Sequence, residues 1–459
     1  MTSHANNPAG SHWPLPDPRT PGQHEQDKPA VRQQVVELLR PDGDAGAKKK
    51  VDDLIELIRK RQLGAPADEA NRFAVFAPAG GAPPVLVAEN QLVVDAGDRD
   101  PAQLGSLLGD YSPGDRAGRN PRRKARVFRG RGPKNVDKLL EDAKRIRREP
   151  GVTANVNPIV PLGYVIKGND YPGLTTVTEA FSPAAGGAPV RVAIVDTGRT
   201  AENRGDGWFT NVVRDGTDPL NIVAPLDRND FSAGHGSFVA GIVRRVAPGC
   251  EIVVYRFTGA DGLGTDEAAA DLLMKAAEDG EGGRLIINAS FGAPAVDDVP
   301  PVALRDAVRD ISTRFPEVLI VASAGNDGGL DKLYPAGFDE FGVKAVGALD
   351  STLAAATFSN HGPWLHCSTV GVGVVSTFVK GLLPPEEGLG VADVNFPVDA
   401  WATWSGTSFT APQISAAVAQ LCGEDATLSP RAAFDRLIQD RPTLDGFGAI
   451  VHILPGTDI

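Results

Sequence analysis

Three residues whose side chains could act together in catalysis stand in separate glycine-containing motifs. Asp196 directly follows the apolar stretch VRVAIV, His235 lies in GHGSFVAG, and Ser408 lies in SGTSFTAP. An imidazole is the natural base for a hydroxyl nucleophile near neutral pH, and a carboxylate can orient that imidazole. Each residue alone also fits a turn or capping role. They occur in the order Asp, His, Ser, which is one known chain order of a catalytic triad.

A fourth polar residue, Asn326, follows the apolar stretch EVLIVASAG. A side-chain amide at the end of a strand can donate a hydrogen bond to an oxyanion. By itself, an asparagine before Asp-Gly-Gly is usually a turn residue. With the other three it gives the order Asp, His, Asn, Ser, each in its own glycine-containing motif.

The elements that must position these residues are recognisable from hydrophobic pattern. Continuous apolar runs such as VRVAIV, EIVVYRF, RLIINAS, EVLIVAS and VKAVGAL suit strands of a parallel sheet that is covered on both faces. Helical segments such as DEAAADLLMKAAEDG lie between them. Residues 189–459 are therefore predicted to form an α/β domain with a doubly wound, mostly parallel sheet. In such sheets, reactive groups gather at the carboxyl ends of the strands, where Asp196 and Asn326 lie.

The first 188 residues divide into four predicted segments. Residues 1–30 lack periodicity and are predicted to be disordered, and residues 31–64 carry two amphipathic stretches that predict a helical hairpin. Residues 71–165 have a strand, helix, strand order that predicts a small α+β domain. Residues 166–188, rich in Gly, Pro and Thr, are predicted to be a linker.

A basic run, DRAGRNPRRKARVFRGRGPK, lies inside the predicted α+β domain. Such a run can bind nucleic acid, but this one has a single Phe for base stacking. The whole chain also has a formal net charge of -12, which disfavours nucleic acid as a partner. The run is predicted to be a solvated and cleavable loop.

Composition narrows the remaining classes. The 459-residue chain has no apolar stretch near 20 residues, so no membrane span is predicted. Its three cysteines are far apart, which predicts free thiols rather than disulfides or a metal site. The N-terminus does not show the pattern of a secretory signal. Together these features predict a cytoplasmic protein without a cofactor.

The motifs around Asp196, His235 and Ser408 resemble the three signature motifs of subtilisin-like serine proteases. The resemblance runs from about Val190 to Cys422, and GTSFTAP is its most specific part. It implies that substrate is bound by Ser290, Phe291 and Gly292 on one edge of a cleft, by Gly259 on the opposite edge, and by Ala322, Ser323, Ala324, Gly325 and Leu333 around the primary specificity pocket. Leu333 near the base of that pocket predicts a preference for apolar, medium-sized residues.

The resemblance also implies a mechanism that uses no metal. The serine attacks the scissile carbonyl, the histidine transfers the proton, and Asn326 with the Ser408 backbone amide holds the oxyanion. The chain departs from the family at Phe238, where a second histidine is more common, and in the insertion at residues 380–400. No clear match to the family's strong calcium loop is seen, so a structural calcium ion, although possible, is not supported.

Residues 71–165 weakly resemble the inhibitory propeptide of the family, which predicts that the chain's own N-terminal domain acts as an inhibitor. A permanently attached accessory domain is the alternative. For the whole protein, the leading hypothesis is a serine endopeptidase acting on proteins or peptides. The alternatives are a catalytically silent peptide-binding or regulatory protein, and a lipase or esterase. The last lacks support because the chain has no Gly-x-Ser-x-Gly motif around its serine.

Overall fold

The computed structural model describes most of the chain. The described residues are 13–38, 45–66, 70–78, 84–99, 101–116, 119–162, 171–182, 189–223, 228–386 and 392–459. The disorder predicted for residues 1–12 and part of the predicted linker therefore lie outside the described residues.

The N-terminal third contains three helices and five strands among its described residues. They are α1 (Pro21–Leu38), α2 (Ala45–Gly64), β1 (Phe73–Phe76), β2 (Val85–Asp95), β3 (Tyr111–Pro113), β4 (Arg126–Gly130), α3 (Val136–Ile146) and β5 (Thr153–Pro161). The long strand β2 pairs antiparallel with β1, β4 and β5, and β4 also pairs with β3. Apolar residues of α3 pack on this sheet. We call residues 73–162 the N-terminal domain.

The disorder predicted for residues 13–30 is wrong. The structure has helix α1 starting at Pro21, and the side chain of Arg19 before it is fully buried. The prediction failed because this segment shows no periodicity of its own. Its polar side chains are satisfied by partners more than 100 residues away, such as Thr457 for Arg19 and Thr175 for Asp27.

The remaining elements belong to the larger region that follows. They are β6 (Gly173–Thr175), β7 (Arg191–Asp196), β8 (Arg199–Thr200), β9 (Val212–Arg214), β10 (Thr217–Asp218), α4 (His235–Val246), β11 (Glu251–Arg256), β12 (Leu263–Thr265), α5 (Asp266–Asp279), β13 (Leu285–Ala289), β14 (Ala293–Pro294), α6 (Val302–Arg314), β15 (Leu319–Ser323), β16 (Leu333–Tyr334), β17 (Lys344–Leu349), β18 (Cys367–Val370), β19 (Val374–Thr377), β20 (Gly381–Leu383), β21 (Val394–Phe396), β22 (Trp401–Trp404), α7 (Ala411–Glu424), α8 (Pro430–Ile438), β23 (Thr443–Leu444) and β24 (Gly448–Ile450). Short 3-10 helices lie at Pro101–Leu104, Asp339–Phe341 and Thr407–Phe409.

The main sheet confirms the predicted doubly wound α/β fold. Its nine strands run in the order β9-β11-β7-β13-β15-β17-β18-β24-β23, and all neighbours are parallel except the last pair. Helices α4 and α7 cover one face and α5 and α6 the other, which makes two separate apolar cores. The strand order reverses at β7, because β11 pairs on one side of it and β13 on the other. A crevice is expected at the carboxyl end of such a strand.

The described part of the predicted linker is not a simple connection. Strand β6 pairs with β22, which in turn pairs with β19, so residues 173–175 form the edge of a second, three-stranded sheet. Tyr171 beside it is buried. The composition of this segment concealed the pairing, since its partner lies more than 220 residues further along the chain.

The basic run is also not the solvated loop that was predicted. The side chain of Arg123 is fully buried, and its Nε lies 2.8 Å from Asp271 Oδ1 on α5. The backbone amides of Lys124 and Ala125 donate to the carboxylate of Asp306 on α6, at 2.6 and 2.8 Å. Acidic residues on two helices of the larger region thus hold the run in place, which could not be seen from the run itself.

The cysteines agree with the prediction of free thiols. All three cysteines are buried and free. In the part of the chain that the structure describes, the helices are either too short or too polar to cross a membrane.

Candidate active site

Asp196 is the last residue of β7, and it lies next to His235, the first residue of α4. Both side chains are buried, Asp196 completely. The chain enters α4 through Gly234, whose φ of +80° is in the left-handed region that favours glycine. A Cβ atom at Gly234 would lie only 2.6 Å from Val379, so this close approach also excludes a side chain.

The contact between the carboxylate and the imidazole is direct. Nδ1 of His235 lies 2.9 Å from both carboxylate oxygens of Asp196. The rings of Trp404 and Phe409 pack against the imidazole, with centroids 5.5 and 5.4 Å away. A proton on Nδ1 is therefore held by the carboxylate, which leaves Nε2 as the nitrogen able to accept a proton from a nucleophile.

A buried carboxylate that sequence reasoning missed braces this pair. Oδ2 of Asp218 accepts hydrogen bonds from Thr197 Oγ1 at 2.9 Å and from the Gly234 amide at 2.8 Å. Thr197 Oγ1 in turn accepts from the Gly236 amide at 3.1 Å. Burial raises the pKa of Asp218 to about 6. Asp218 thus links Thr197, the residue after Asp196, to the amide of Gly234, and Thr197 in turn binds the amide of Gly236. Both neighbours of His235 are held in this way.

Ser408 lies in the 3-10 turn that leads into α7. Its hydroxyl donates to the Ser290 carbonyl at 3.4 Å, and the Ser290 hydroxyl donates back to the Ser408 carbonyl at 2.8 Å. Within the described residues, no hydrogen bond joins Ser408 to His235. A change of the serine rotamer is the simplest movement that would bring the hydroxyl to the imidazole.

Asn326 is fixed through its amide oxygen. Its Oδ1 accepts from the backbone amide of Thr407 at 2.9 Å and from the Thr407 hydroxyl at 2.8 Å. The Gly325 amide also donates to that hydroxyl, at 3.1 Å. Because the oxygen is used, the Nδ2 group remains as a donor beside Ser408.

A small cavity adjoins Ser408 and collects many of the predicted residues. It is lined by Pro161, Phe291, Gly292, Ser323, Gly325, Asn326, Leu333, Thr407 and Ser408. Leu333 packs closely on Gly325, since a Cβ atom there would lie 2.5 Å from Leu333 Cδ1. The structure therefore brings together five of the predicted substrate-binding residues, with Ser290 bonded to Ser408 behind them.

Three other predicted substrate-binding residues lie elsewhere. Ala322 and Ala324 are fully buried in the core beneath α5 and α6, and neither lines the cavity. They were included in the prediction because they stand in the same motif as Ser323 and Gly325. Successive residues of a strand, however, point to opposite faces of the sheet. Gly259 lies in the loop before β12, where its amide donates to the Leu263 carbonyl at 3.1 Å. The edge of the cleft is formed by Gly262 and β12 instead.

The last residues of β5 lie between the two edges of this cleft. On one side β5 pairs antiparallel with β12, with Val160 opposite Gly264 and Pro161 opposite Leu263. The Leu162 amide then donates to the Gly262 carbonyl at 2.9 Å. An extended segment of the N-terminal domain is thus hydrogen-bonded to the rim of the cleft.

The opposite edge of the cleft holds the same segment. The Gly292 amide donates to the Pro161 carbonyl at 3.4 Å, and Pro161 lines the cavity next to Ser408. Helix α2 covers the outer side, where Ile58 packs with Ile159 and Leu263. Arg61 of α2 is anchored by a buried ion pair to Asp230, with 2.8 Å between Nη2 and Oδ2.

No group of three or more His, Cys, Asp or Glu side chains is arranged to hold a metal ion in the part of the chain that the structure describes. The expectation of no metal in the chemistry stays a prediction.

Comparison with known proteins identifies relatives of this chain. Residues 187–448 match the model of the subtilase family. Subtilisin BL of Lederbergia lenta is 30% identical over 242 residues, which cover 51% of this chain and 76% of that protein. An alkaline protease of Shouchella clausii is 29% identical over 302 residues, 62% of this chain and 66% of that protein.

The fold has a solved counterpart. Fervidolysin of Fervidobacterium pennivorans, a keratinolytic enzyme related to subtilisin, matches with a TM-score of 0.54 at 18% identity. The match covers 80% of this chain and 60% of that one. At this identity the likeness concerns the fold, and it extends well beyond the half of the chain that aligns with subtilisin BL.

Proposed function

This chain is a subtilisin-like serine endopeptidase of the subtilase family, and we propose that Asp196, His235 and Ser408 form its catalytic triad while its own N-terminal domain restrains it. The observation that carries the triad is the buried contact of 2.9 Å between the Asp196 carboxylate and Nδ1 of His235. The ring of Phe409, the residue after Ser408, packs 5.4 Å from the imidazole. Its substrates are proteins or peptides.

In this mechanism Ser408 attacks the scissile carbonyl and gives its proton to Nε2 of His235. Asp196 keeps the imidazole in the required tautomer and stabilises its charged form. The imidazolium then protonates the leaving amine, and water releases the acyl group by the reverse steps. The Ser408 hydroxyl, which donates to the Ser290 carbonyl at 3.4 Å, must turn toward Nε2 before the attack.

The oxyanion is assigned to two donors, Nδ2 of Asn326 and the backbone amide of Ser408. The support is the orientation of Asn326, whose oxygen is held by Thr407 so that its nitrogen is the free donor. Loss of one such donor typically raises the barrier by about 3 kcal/mol. Asn326→Leu is therefore expected to lower kcat with a much smaller effect on KM.

The restraint follows from what lies in the cleft. Substrate would bind as an extended strand between β12 and Gly292, the two edges that β5 already occupies. While residues 159–162 and α2 remain in place, a protein substrate is excluded. Because Pro161 of the docked segment lines the cavity beside Ser408, self-cleavage soon after it, within residues 163–170, is expected. A permanently attached accessory domain, the alternative, would leave the chain uncut.

Labelling with a fluorophosphonate tests the triad. Two proteins are labelled: the unmodified chain and its Arg123→Met variant, in which the docking of the N-terminal domain is weakened. Each is compared with the same protein carrying Ser408→Ala. Ser312→Ala on α6 is the matched control. We expect one label on every chain that retains Ser408. A label on the Ser408→Ala chain would contradict the assignment, and no label on any chain would favour a catalytically silent protein.

The cavity beside Ser408 also supports the predicted apolar preference, since Leu333 and Phe291 contribute to its lining. Profiling with a peptide library is expected to give cleavage after medium-sized apolar residues. Preferred cleavage after Arg or Lys would overturn this specificity. A cytoplasmic location stays a prediction.

A further inference from the structure

Helix α1 lies upstream of the N-terminal domain in sequence, yet it packs on the catalytic region. Val31 is fully buried and Leu38 nearly so, in a cluster with Phe358 and Val372. Trp13, at the start of the described chain, joins the core that α4 and α7 cover. We call residues 13–38 the N-terminal strap. Its apolar side chains complete a core of the catalytic region.

The strap inserts a charged side chain into the catalytic region as well. The fully buried guanidinium of Arg19 donates to Gly373 O at 3.3 Å, to Gly456 O at 3.0 Å and to Thr457 Oγ1 at 2.6 Å. Its counter-charge is Asp17, 2.9 Å away within the strap itself. The strap therefore brings its own neutralising carboxylate, and it uses only neutral acceptors of the catalytic region.

Gln34 connects the strap to the loop that carries the nucleophile. Its Nε2 donates to the carbonyls of Tyr171 and Thr403, at 2.9 and 3.0 Å. Its Oε1 accepts from the hydroxyl of Ser405 at 2.8 Å. Ser405 stands three residues before Ser408 on the same loop. The amide is 1% exposed and uses both its donor and its acceptor there.

Further bonds attach the strap to distant parts of the catalytic region. The Leu15 amide donates to the Ile453 carbonyl at 2.9 Å, near the end of the chain. Thr175 of β6 donates its hydroxyl to Asp27 at 3.0 Å. The strap thus contacts the beginning, the serine loop and the end of the catalytic region.

We infer that the strap is a permanent part of the catalytic unit, which stays bound when the N-terminal domain is removed, and that Gln34 positions the serine loop. The inference rests on the proposed function, because it concerns what the processed enzyme contains. Release of the N-terminal domain then takes a cut between the strap and the domain in addition to the cut after Leu162. The mature enzyme consists of two chains.

Retention of the strap is tested on a chain that cannot cut itself. Ser408→Ala protein receives recognition sequences for a site-specific protease within residues 39–44 and within residues 163–170. After both cuts, native gel filtration at increasing dilution is followed by intact mass. The strap fragment is expected to elute with the catalytic fragment while the middle fragment separates. A strap that leaves with the middle fragment, or before it, overturns the inference.

Hydrogen exchange on the unmodified chain gives a second measurement in case the inserted sequences impair folding. Amides of α1 are expected to exchange as slowly as those of α7, and fast exchange throughout α1 overturns the inference. Neither experiment depends on proteolysis by this protein. If fluorophosphonate labels Ser408 while the strap dissociates, only this inference fails and the proposed function stands.

The positioning role of Gln34 has its own readout. Gln34→Leu is expected to lower kcat roughly ten- to hundredfold with KM little changed, because the serine loop loses its anchor. Gln33→Leu, at the exposed neighbouring position, is the matched control. An unchanged kcat in Gln34→Leu, or an equal loss in both variants, overturns the positioning role.

Discussion

The contacts that the catalytic region makes with the N-terminal domain and with the strap differ in where their charges lie. In the contact of the N-terminal domain, cations and carboxylates face each other across the boundary, as Arg123 faces Asp271 and Glu267. In the contact of the strap, Arg19 is neutralised from within the strap by Asp17. Its bonds to the catalytic region go to neutral acceptors.

This difference indicates that the contact of the N-terminal domain, rather than that of the strap, is the one that dissociates. Ion pairs that cross a boundary become unpaired or solvated when the two sides separate, so pH and salt affect them directly. A contact made mostly of apolar side chains and internally neutralised charge should respond less. A substitution, a change of pH and a change of salt concentration test this difference. Each is made on the doubly cut Ser408→Ala complex, and release of the N-terminal domain and of the strap is measured.

The largest effect is expected from Arg123→Met. The substitution leaves Glu267 and Asp271 without their fully buried counter-charge, and such a loss costs about 3–5 kcal/mol. The dissociation constant of the N-terminal domain should rise by roughly 10²–10⁴-fold. Titration calorimetry on the cut complex measures it.

The control for that substitution is Arg122→Met, whose side chain is 63% exposed. It should change the dissociation constant by less than about threefold, as expected of an exposed pair. Equal effects of the two variants, or release of the strap by Arg123→Met, would remove the distinction between the two contacts.

An effect of pH should come next in size. Burial raises the pKa of Glu267 to about 7, although the charges of Arg123 and Arg116 oppose the rise and those of Asp115 and Asp271 add to it. The docked state therefore binds this proton more tightly than a free surface glutamate with its ordinary pKa of 4.5 does. The stabilisation of docking by the proton on Glu267 is complete below pH 4.5 and is lost as pH rises through about 7.

The dissociation constant of the N-terminal domain is thus expected to rise by up to about tenfold per pH unit between pH 5 and 7. Glu267→Gln should flatten this dependence. A domain that binds more tightly at pH 8 than at pH 5, or an unchanged profile in Glu267→Gln, would contradict the role given to this residue.

Salt should have the smallest effect. The boundary of the N-terminal domain has partly exposed pairs such as Lys144 with Asp297 at 2.9 Å and Arg309 with Asp95 at 3.1 Å. Raising NaCl from about 0.1 to about 1 M should weaken this docking by a few-fold, because screening shortens the Debye length from about 10 to about 3 Å. Retention of the strap should not change, and salt-induced loss of the strap would argue against the comparison.

Much of the fold and of the candidate site could be predicted because the information is local. Apolar runs mark the buried parallel strands, so β7 and β15 were recognisable, and with them the strand ends at Asp196 and Asn326. Glycine-containing motifs mark His235 and Ser408, since the backbone before each has a φ that favours glycine, 80° at Gly234 and 150° at Gly406. The site residues remain a proposal. Asn326 and Ser408 line one cavity, and the ring of Phe409, next to Ser408, packs against His235.

What could not be predicted depends on partners that are remote in sequence. Asp218 braces the aspartate–histidine pair, but it stands in an ordinary turn sequence. Arg123 looked solvated because its carboxylate partners lie nearly 150 residues away. The strap looked disordered because its order is imposed by the catalytic region. Local pattern carries no signal for such long-range contacts.

The central claim, a serine protease restrained by its own strand β5, is tested most directly by incubating the purified full chain beside its Ser408→Ala variant. Intact mass and N-terminal sequencing follow both. We predict a new N-terminus within residues 163–170 in the active chain only. A cut at the same place in the Ser408→Ala chain, or a wild-type chain that stays whole although fluorophosphonate labels Ser408, would contradict it.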